Sequence, residues 1–168
     1  HSARTATALG LMGFKRAVVS RDISLEEIRL IGEATGMEME CFVHGDMCIS
    51  HSSQCHASGI TFGESSNRGR CMKSCRWKWQ LVSPAGEVVD GPPGAQYLLA
   101  RKDLCMIQHI PQLAGAGVAS LKIEGRMRTP EFLTPIVSAY RRAVDAYFEN
   151  PAGYETPAEL TAELHERR

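Results

Sequence analysis

The strongest constraint on the fold is a change of period along the chain. Residues 37–44, MEMECFVH, alternate at period two, so Met39, Cys41 and Val43 face one way and Glu38, Glu40, Phe42 and His44 the other. Just upstream the pattern is helical: Ser24 and Glu27 make a capping box, Ile23 and Ile28 a staple around it, and Gly36 a stop. VASLKIEG (118–125) repeats the strand pattern, with Leu121 and Ile123 on one face and Lys122 and Glu124 on the other. The segments between agree. A helix is predicted over 3–12, closing on Gly13, followed by a short buried strand over RAVVS (16–20). QYLLA (96–100) reads as a strand, followed by a helix from Lys102 that is interrupted or restarts at Pro111. A last long helix starts at Thr129-Pro130, carries the stripe Ile136, Ala139, Tyr140, Ala143, Val144 and Tyr147, and ends at Asn150-Pro151.

Strands with one apolar and one polar face, alternating with helices, predict an α/β fold, read here as part of a (β/α) TIM-type barrel. Only three or four barrel strands can be counted, and a full barrel takes about 250 residues. The 168-residue chain therefore reads as the later half, with a cysteine-rich insertion and a β-hairpin. Residues 1–150 form the barrel-type part, and 151–168 a linker and short helix. A partner or a missing half-barrel would complete it. Sites on this fold are built at the carboxyl ends of the strands, where the inner face carries Glu40, His44, Lys122 and Glu124. These four are candidate catalytic residues; the alternative for Glu40, Lys122 and Glu124 is a buried ion-pair network, and for His44 a structural hydrogen-bonding role. The period places Lys122 and Glu124 on the side shared with Glu40 and His44.

Lys plus Arg equals Asp plus Glu, so no global charge draws the chain to nucleic acid or a membrane. No apolar run approaches a membrane span. The opening residues lack a signal-peptide pattern, and the absent initiator methionine reads as a processed chain or a fragment. Six cysteines without a secretory signal argue against a disulfide framework and for a cytoplasmic protein with metal or redox thiols.

From Gly45 to about Arg76 no period persists, and a loop of that length is a functional candidate. Cys48, Cys55, Cys71, Cys75 and Cys105 could hold zinc or an iron–sulfur cluster, or be inert structural thiols. Only Cys71 and Cys75 are spaced as a metal knuckle, and Cys41 lies on the apolar strand face as core. His51, His56 and His109 are individually weak candidates. RWKWQLVSPAGEVVDG reads as a hairpin turning at Pro84-Ala85-Gly86. Arg68, Arg70 and Arg76 with Trp77 and Trp79 suit RNA by phosphate contact and stacking, or form a solvated basic hairpin.

RAVVSRDISLEEI, ECFVHGDMC and the cysteine after it, NRGRCMKSCRW, YLLARKDLC and SLKIEGRM, in this order, resemble the collagenase-like peptidase family U-32 over about residues 3–150. The family signature is met by Glu40, Phe42, Gly45, Met47, Cys48 and Cys55, with Asp46 where a small residue is usual and Ser53 where glycine is usual. The resemblance implies a barrel-type catalytic domain and an oxygen-sensitive four-iron–four-sulfur (4Fe-4S) cluster. Its ligands would be Cys48, Cys55, Cys71 and Cys105, converging in one pocket, with Cys75 competing for the third or fourth place and zinc as a substitute metal. It further implies prephenate-dependent hydroxylation of a pyrimidine base in tRNA or rRNA. Ubiquinone hydroxylation, collagenase-like peptidase activity and a metal-stabilised binding fragment without turnover are the alternatives. Prephenate is a dicarboxylate, and Lys122 with Arg126 at a strand's end are cations suited to it. A peptidase needs a nucleophile, base and orienter together, and the H-E-x-x-H motif of metalloproteases does not occur.

Overall fold

The computed structural model describes residues 2–51, 54–89, 97–100 and 102–165. In chain order the helices are α1 (Ala3–Leu11), α2 (Leu25–Thr35), α3 (Ala57–Phe62), α4 (Ile110–Gly115), α5 (Pro130–Glu149) and α6 (Ala158–His165). The strands are β1 (Arg16–Val18), β2 (Glu38–Asp46), β3 (Leu81–Val82), β4 (Val88–Val89), β5 (Asp103–Cys105) and β6 (Val118–Ile123). The chain divides into two compact units, one of His1–Asp46 with Leu104–Arg168 and one of Met47–Asp103.

In the first unit β2 is the central strand. β1 pairs with it in parallel from Arg16 against Glu38 to Val18 against Glu40, and β6 pairs with it in parallel from Met39 against Val118 to His44 against Ile123. The connection through α2 makes β1–α2–β2 a βαβ unit, as parallel pairing requires. Leu104 and Cys105 bring the chain back to this unit, and β5 joins the sheet on β2. The result is a mixed α/β unit with a parallel sheet and no closed barrel.

The local signals act as expected where they are strong. Ser24 accepts from the Glu27 amide, Glu27 accepts from the Ser24 amide, and Gly36 closes α2 at φ +66°. The α5 stripe buries Ile136, Ala139, Tyr140 and Ala143 against a core that includes Ile28, Met39, Val43, Ile107 and Leu113. The short helix expected near the end is α6, and its Leu160 and Leu164 complete that core. No helix among the described residues is long and apolar enough to cross a membrane.

Three expectations need correction. RAVVS is not a buried strand: β1 spans three residues, Val18 is 45% exposed, and Ala17 and Val19 alone of its apolar residues turn to the core. Val18 stands opposite Glu40 in register and so shares the polar face of the sheet. QYLLA forms no strand over residues 97–100, and Gln96 lies outside the described residues. The helix placed from Lys102 starts later: residues 103–105 are strand β5, and α4 begins at Ile110 with Pro111 in its first turn. Proline there is favourable because its missing N–H would have no partner.

The second unit is built of turns. It holds α3, two 3-10 turns (Ser66–Arg68 and Ser74–Arg76) and the β3–β4 hairpin, with Leu81 paired to Val89 and Val82 to Val88. Its turn lies where Pro84-Ala85-Gly86 places it: the Gly86 amide donates to Ser83 O at 2.9 Å, and the Ser83 amide to Glu87 O at 2.8 Å. The paired part is shorter than expected, because Arg76 ends a 3-10 turn instead of opening a strand.

Candidate functional site

In the first unit the polar face of β2 and β6 gathers charge around Glu40. Its carboxylate accepts from the Ser120 hydroxyl at 2.9 Å, and it meets Lys122 Nζ at 3.3 Å and Arg16 Nη1 at 3.6 Å. In-register parallel pairs share a face, so Glu40 opposite Ser120 and Phe42 opposite Lys122 follow from the strand pairing. Lys122 Nζ sits 5.4 Å from the Phe42 ring centroid, and the Arg21 guanidinium lies over the same ring at 3.7 Å. Burial opposes the charge of Glu40. The Ser120 and Lys122 hydrogen bonds and the Lys122 and Arg16 charges outweigh it and hold the carboxyl below its ordinary value. A carboxylate held in this way serves as a base or an anchor for a cation at neutral pH, not as an acid. Ser120 and Lys122 alternate on one strand, so Ser120 was legible as a partner; Arg16 and Arg21 come from neighbouring segments with no such signal.

His44 is not on that face. The register of β2 against β6 slips between Phe42 and His44, a bulge that leaves Val43 out of the pairing with β6. Val43 and His44 are both buried, at 0% and 3% exposure. The His44 ring packs edge-on against Tyr140 of α5 with centroids 5.6 Å apart, and Tyr140 Oη lies 3.4 Å from His44 Nδ1. Tyr140 also donates to Val43 O at 2.7 Å and accepts from the Met106 amide at 3.0 Å. The alternation that would have kept His44 beside Glu40 is broken by one inserted residue.

Beyond the bulge the two strand ends draw together. The Glu124 amide donates to His44 O at 2.9 Å, and Gly45 lies so close that an added Cβ would sit 2.4 Å from Glu124 O. Glu124 itself accepts from the Arg126 amide at 3.1 Å. Arg126 is exposed beyond the strand end. Asp46, which departs from the expected signature, meets Arg128 Nη2 at 3.3 Å. Of the expected catalytic four, then, Glu40 and Lys122 come together, His44 turns to α5, and Glu124 closes the strand ends.

The thiols divide by unit. Cys48, Cys55, Cys71 and Cys75 belong to the second unit, and Cys41 and Cys105 to the first. No disulfide joins the six cysteines, and Cys41 is core at 8% exposure, where burial pushes its thiol up. The loop that carries the second unit's thiols is stitched by polar contacts. Buried Ser58 of α3 accepts from the Met72 amide at 3.0 Å, and Ser66 donates to Cys55 O at 2.9 Å. The Lys73 amide donates to Cys71 Sγ at 3.4 Å across a left-handed turn at Lys73 (φ +52°). Burial first, and then the charges of Cys48, Cys71 and Cys55, push the Cys75 thiol up, against the lowering effect of Arg76. Among the described residues no three His, Cys, Asp or Glu side chains are grouped to hold a metal ion. The donor chemistry fits a thiolate-bound cluster, but the packing of the ligands does not by itself make one. Ser53, the other departure from the signature, lies outside the described residues.

Comparison with known proteins agrees with the signature residues. Over 155 residues the chain is 38% identical to the tRNA hydroxylation protein P1 of Bacillus subtilis (strain 168), covering 90% of this chain and 37% of that protein. It is 37% identical over 144 residues to the 23S rRNA 5-hydroxycytidine C2501 synthase of Escherichia coli (strain K12), covering 86% of this chain and 22% of that one. It is also 30% identical over 141 residues to a protein named Collagenase from Porphyromonas gingivalis (strain ATCC BAA-308 / W83), covering 77% of this chain and 34% of that one. The chain thus spans well under half the length of these relatives. No solved structure matches it. The family profile described as Peptidase family U32 matches residues 1–168. With the signature glycine explained by the close approach of Glu124, and Glu40, Phe42 and the two signature cysteines in place, the chain belongs to peptidase family U32.

Proposed function

We propose that the whole protein is an iron–sulfur-dependent hydroxylase of a pyrimidine base in tRNA or rRNA. The observation that carries this reading is the placement of Cys48, Cys55, Cys71 and Cys75 in one small, turn-built unit. Two relatives whose names state tRNA hydroxylation and rRNA hydroxycytidine synthesis support the substrate class. Cys48, Cys55 and Cys71 would hold the cluster, with Cys105 or Cys75 as the fourth thiolate. When bound, such a cluster supplies one-electron redox chemistry to the site.

The chain's own residues have narrower tasks. Glu40 stays ionised and orients Lys122, and Arg126 at the end of β6 is an exposed cation for a dicarboxylate such as prephenate. Six cysteines without a disulfide fit a reducing compartment, the cytoplasm, where RNA substrates are found. The fold reading extends to the later half of a (β/α) barrel. Its support is the parallel β1–β2–β6 pairing and an apolar groove at each edge of the sheet. One groove, about 300 Å³, is lined by Leu9, Phe14 and Val18. The other, about 570 Å³, is lined by Leu121, Ile123 and Val144.

A peptidase reading rests on the relative named Collagenase. The buried histidine best placed to be a base, His44, has its Nδ1 beside the Tyr140 hydroxyl instead of a nucleophile. The test is anaerobic purification of the full-length protein with iron and sulfide analysis, joined to complementation of a strain lacking its hydroxylating relative. We expect about four irons per chain, hydroxylated pyrimidine by mass spectrometry, and loss of both in Cys55→Ala. Comparing Cys75→Ala with Cys105→Ala names the fourth ligand. Full RNA modification by an iron-free Cys55→Ala protein, or peptide cleavage with no RNA product, overturns the reading.

A further inference from the structure

The second unit carries a feature that neither the thiols nor the charged strand face uses. The chain has two tryptophans, Trp77 and Trp79, and their rings lie near parallel, 15° apart with centroids separated by 6.5 Å. That spacing is two residues' rise in an extended chain, about 6.6 Å, and Trp77 has extended backbone angles. Side chains at i and i+2 of such a segment share one side, so the pair forms a small aromatic shelf. It is held in place before any ligand arrives. Phe62 of α3 braces Trp77 at 5.3 Å, and Trp79 Nε1–H donates to Ser74 O at 2.7 Å. Both indoles nevertheless remain 42% and 44% exposed.

The sequence around the shelf is basic. Arg68, Arg70, Lys73, Arg76 and Lys78 fall in one short stretch, and no acidic residue occurs between Glu64 and Glu87. The second unit has seven Lys and Arg against four Asp and Glu, whereas the rest of the chain has twelve against fifteen. Arg76 is turned inward, to Asp103 at 2.6 Å and to Met47 O at 3.2 Å. Arg70 meets Glu64 at 3.2 Å with its side chain 72% exposed, and Arg68 and Lys78 are exposed.

We propose that Trp77 and Trp79 form a stacking platform for unpaired RNA bases, with Arg68, Arg70 and Lys78 contacting the flanking phosphates. Fixed, exposed aromatic faces accept any base, and basic residues beside them track the backbone; together these bind single strands. Prior fixing lowers the ordering cost of binding. The choice of RNA rests on the hydroxylase reading above. The platform would hold the strand around the base to be modified, a role separate from the chemistry.

The two tryptophans are the only ones in the chain, so its intrinsic tryptophan emission reports on this platform alone. Titrating the full chain with an oligouridylate of about ten nucleotides should quench that emission to saturation. By anisotropy with the same RNA labelled, Trp77→Ala and Trp79→Ala should each weaken binding roughly tenfold. Trp79→Phe should retain most of the affinity, with far-UV circular dichroism checking that each variant is folded. Lys78→Ala should lower the salt slope by about 0.7. A blunt RNA duplex of matching length should bind poorly. Absence of quenching, folded alanine variants that bind within about twofold of wild type, or equal binding of the duplex overturns the proposal. The two readings fail separately. If the full-length Trp79→Ala protein binds and modifies RNA normally, the platform is wrong and the hydroxylase stands. If wild-type protein gives no RNA product, the hydroxylase is wrong and the quenching result is judged by itself.

Discussion

Gly45→Ala should be among the most destabilising single substitutions in the first unit. Gly45 has φ +105°, beyond the region that an L-residue tolerates, and strain of that kind costs about 1–3 kcal/mol. A second term comes from space. The new Cβ would lie 2.4 Å from Glu124 O and 3.0 Å from Glu124 Cβ. Carbon normally meets a carbonyl oxygen at roughly 3.3–3.6 Å, so the strand ends must part by about 1 Å. The Glu124 amide that donates to His44 O is on the same backbone, so it cannot move freely. Overpacking of this kind costs about 1–3 kcal/mol, for a total of about 2–6 kcal/mol. Gly36→Ala is the control in the same unit: φ is +66°, and nothing lies within 4 Å of the added Cβ. It carries the conformational term alone, about 1 kcal/mol. Thermal unfolding followed by far-UV circular dichroism separates them, with about 2–4 °C per kcal/mol for a chain of this size. We expect Gly45→Ala to melt about 10 °C or more below wild type and Gly36→Ala only a few degrees below. If the two variants differ by less than about 0.5 kcal/mol, the close approach of Glu124 is not what demands glycine in the signature.

Two further outcomes follow from the charged face and the bulge. The Glu40 carboxyl is held below its ordinary value, so the stability it contributes is present above that value and is lost as pH falls through the lowered one. Glu40→Gln should therefore cost about 1 kcal/mol at neutral pH, discounted for the exposure of Lys122, with the difference from wild type shrinking below about pH 4; urea midpoints at the two pH values check it, and a pH-independent difference refutes it. Tyr140→Phe removes the hydroxyl shared by Val43 O and the Met106 amide and should cost about 1–3 kcal/mol. The Met106 amide keeps its direct bond to Val43 O at 2.9 Å, so urea midpoints rather than amide exchange measure the loss, and a change below about 0.5 kcal/mol would show that the hydroxyl is dispensable.

What the chain determines locally was legible. The α2 ends are written in Ser24, Glu27 and Gly36, because caps depend on a few adjacent residues. The face of Glu40 and Lys122 followed from alternation alone, because side chains in a strand point to opposite sides in turn. The hairpin turn at Pro84-Ala85-Gly86 was readable for the same reason, glycine there taking φ +86°. The resemblance to the U32 family rested on contiguous signature residues, and the family match agrees with it.

Tertiary structure decided the rest. No residue of ECFVHGD announces the bulge at Val43; it arises where β2 meets β6, eighty residues away in the chain for Glu40 and Ser120, and where Tyr140 fills the space that His44 enters. That contact, not the alternation, removed His44 from the polar face. β5 was hidden at the start of a segment that reads as helix, because a three-residue strand is defined by its neighbour and not by its pattern. The grouping of Cys48, Cys55, Cys71 and Cys75 in one unit likewise depends on how α3 and two 3-10 turns return the loop on itself. The stacking of Trp77 on the side of Trp79 needed only an extended backbone, but the hydrogen bond from Trp79 to Ser74 O and the brace of Phe62 required the turns to close. Local propensity is set by neighbours in sequence, whereas a bulge, an edge or a cluster of thiols is set by which distant backbone happens to lie alongside.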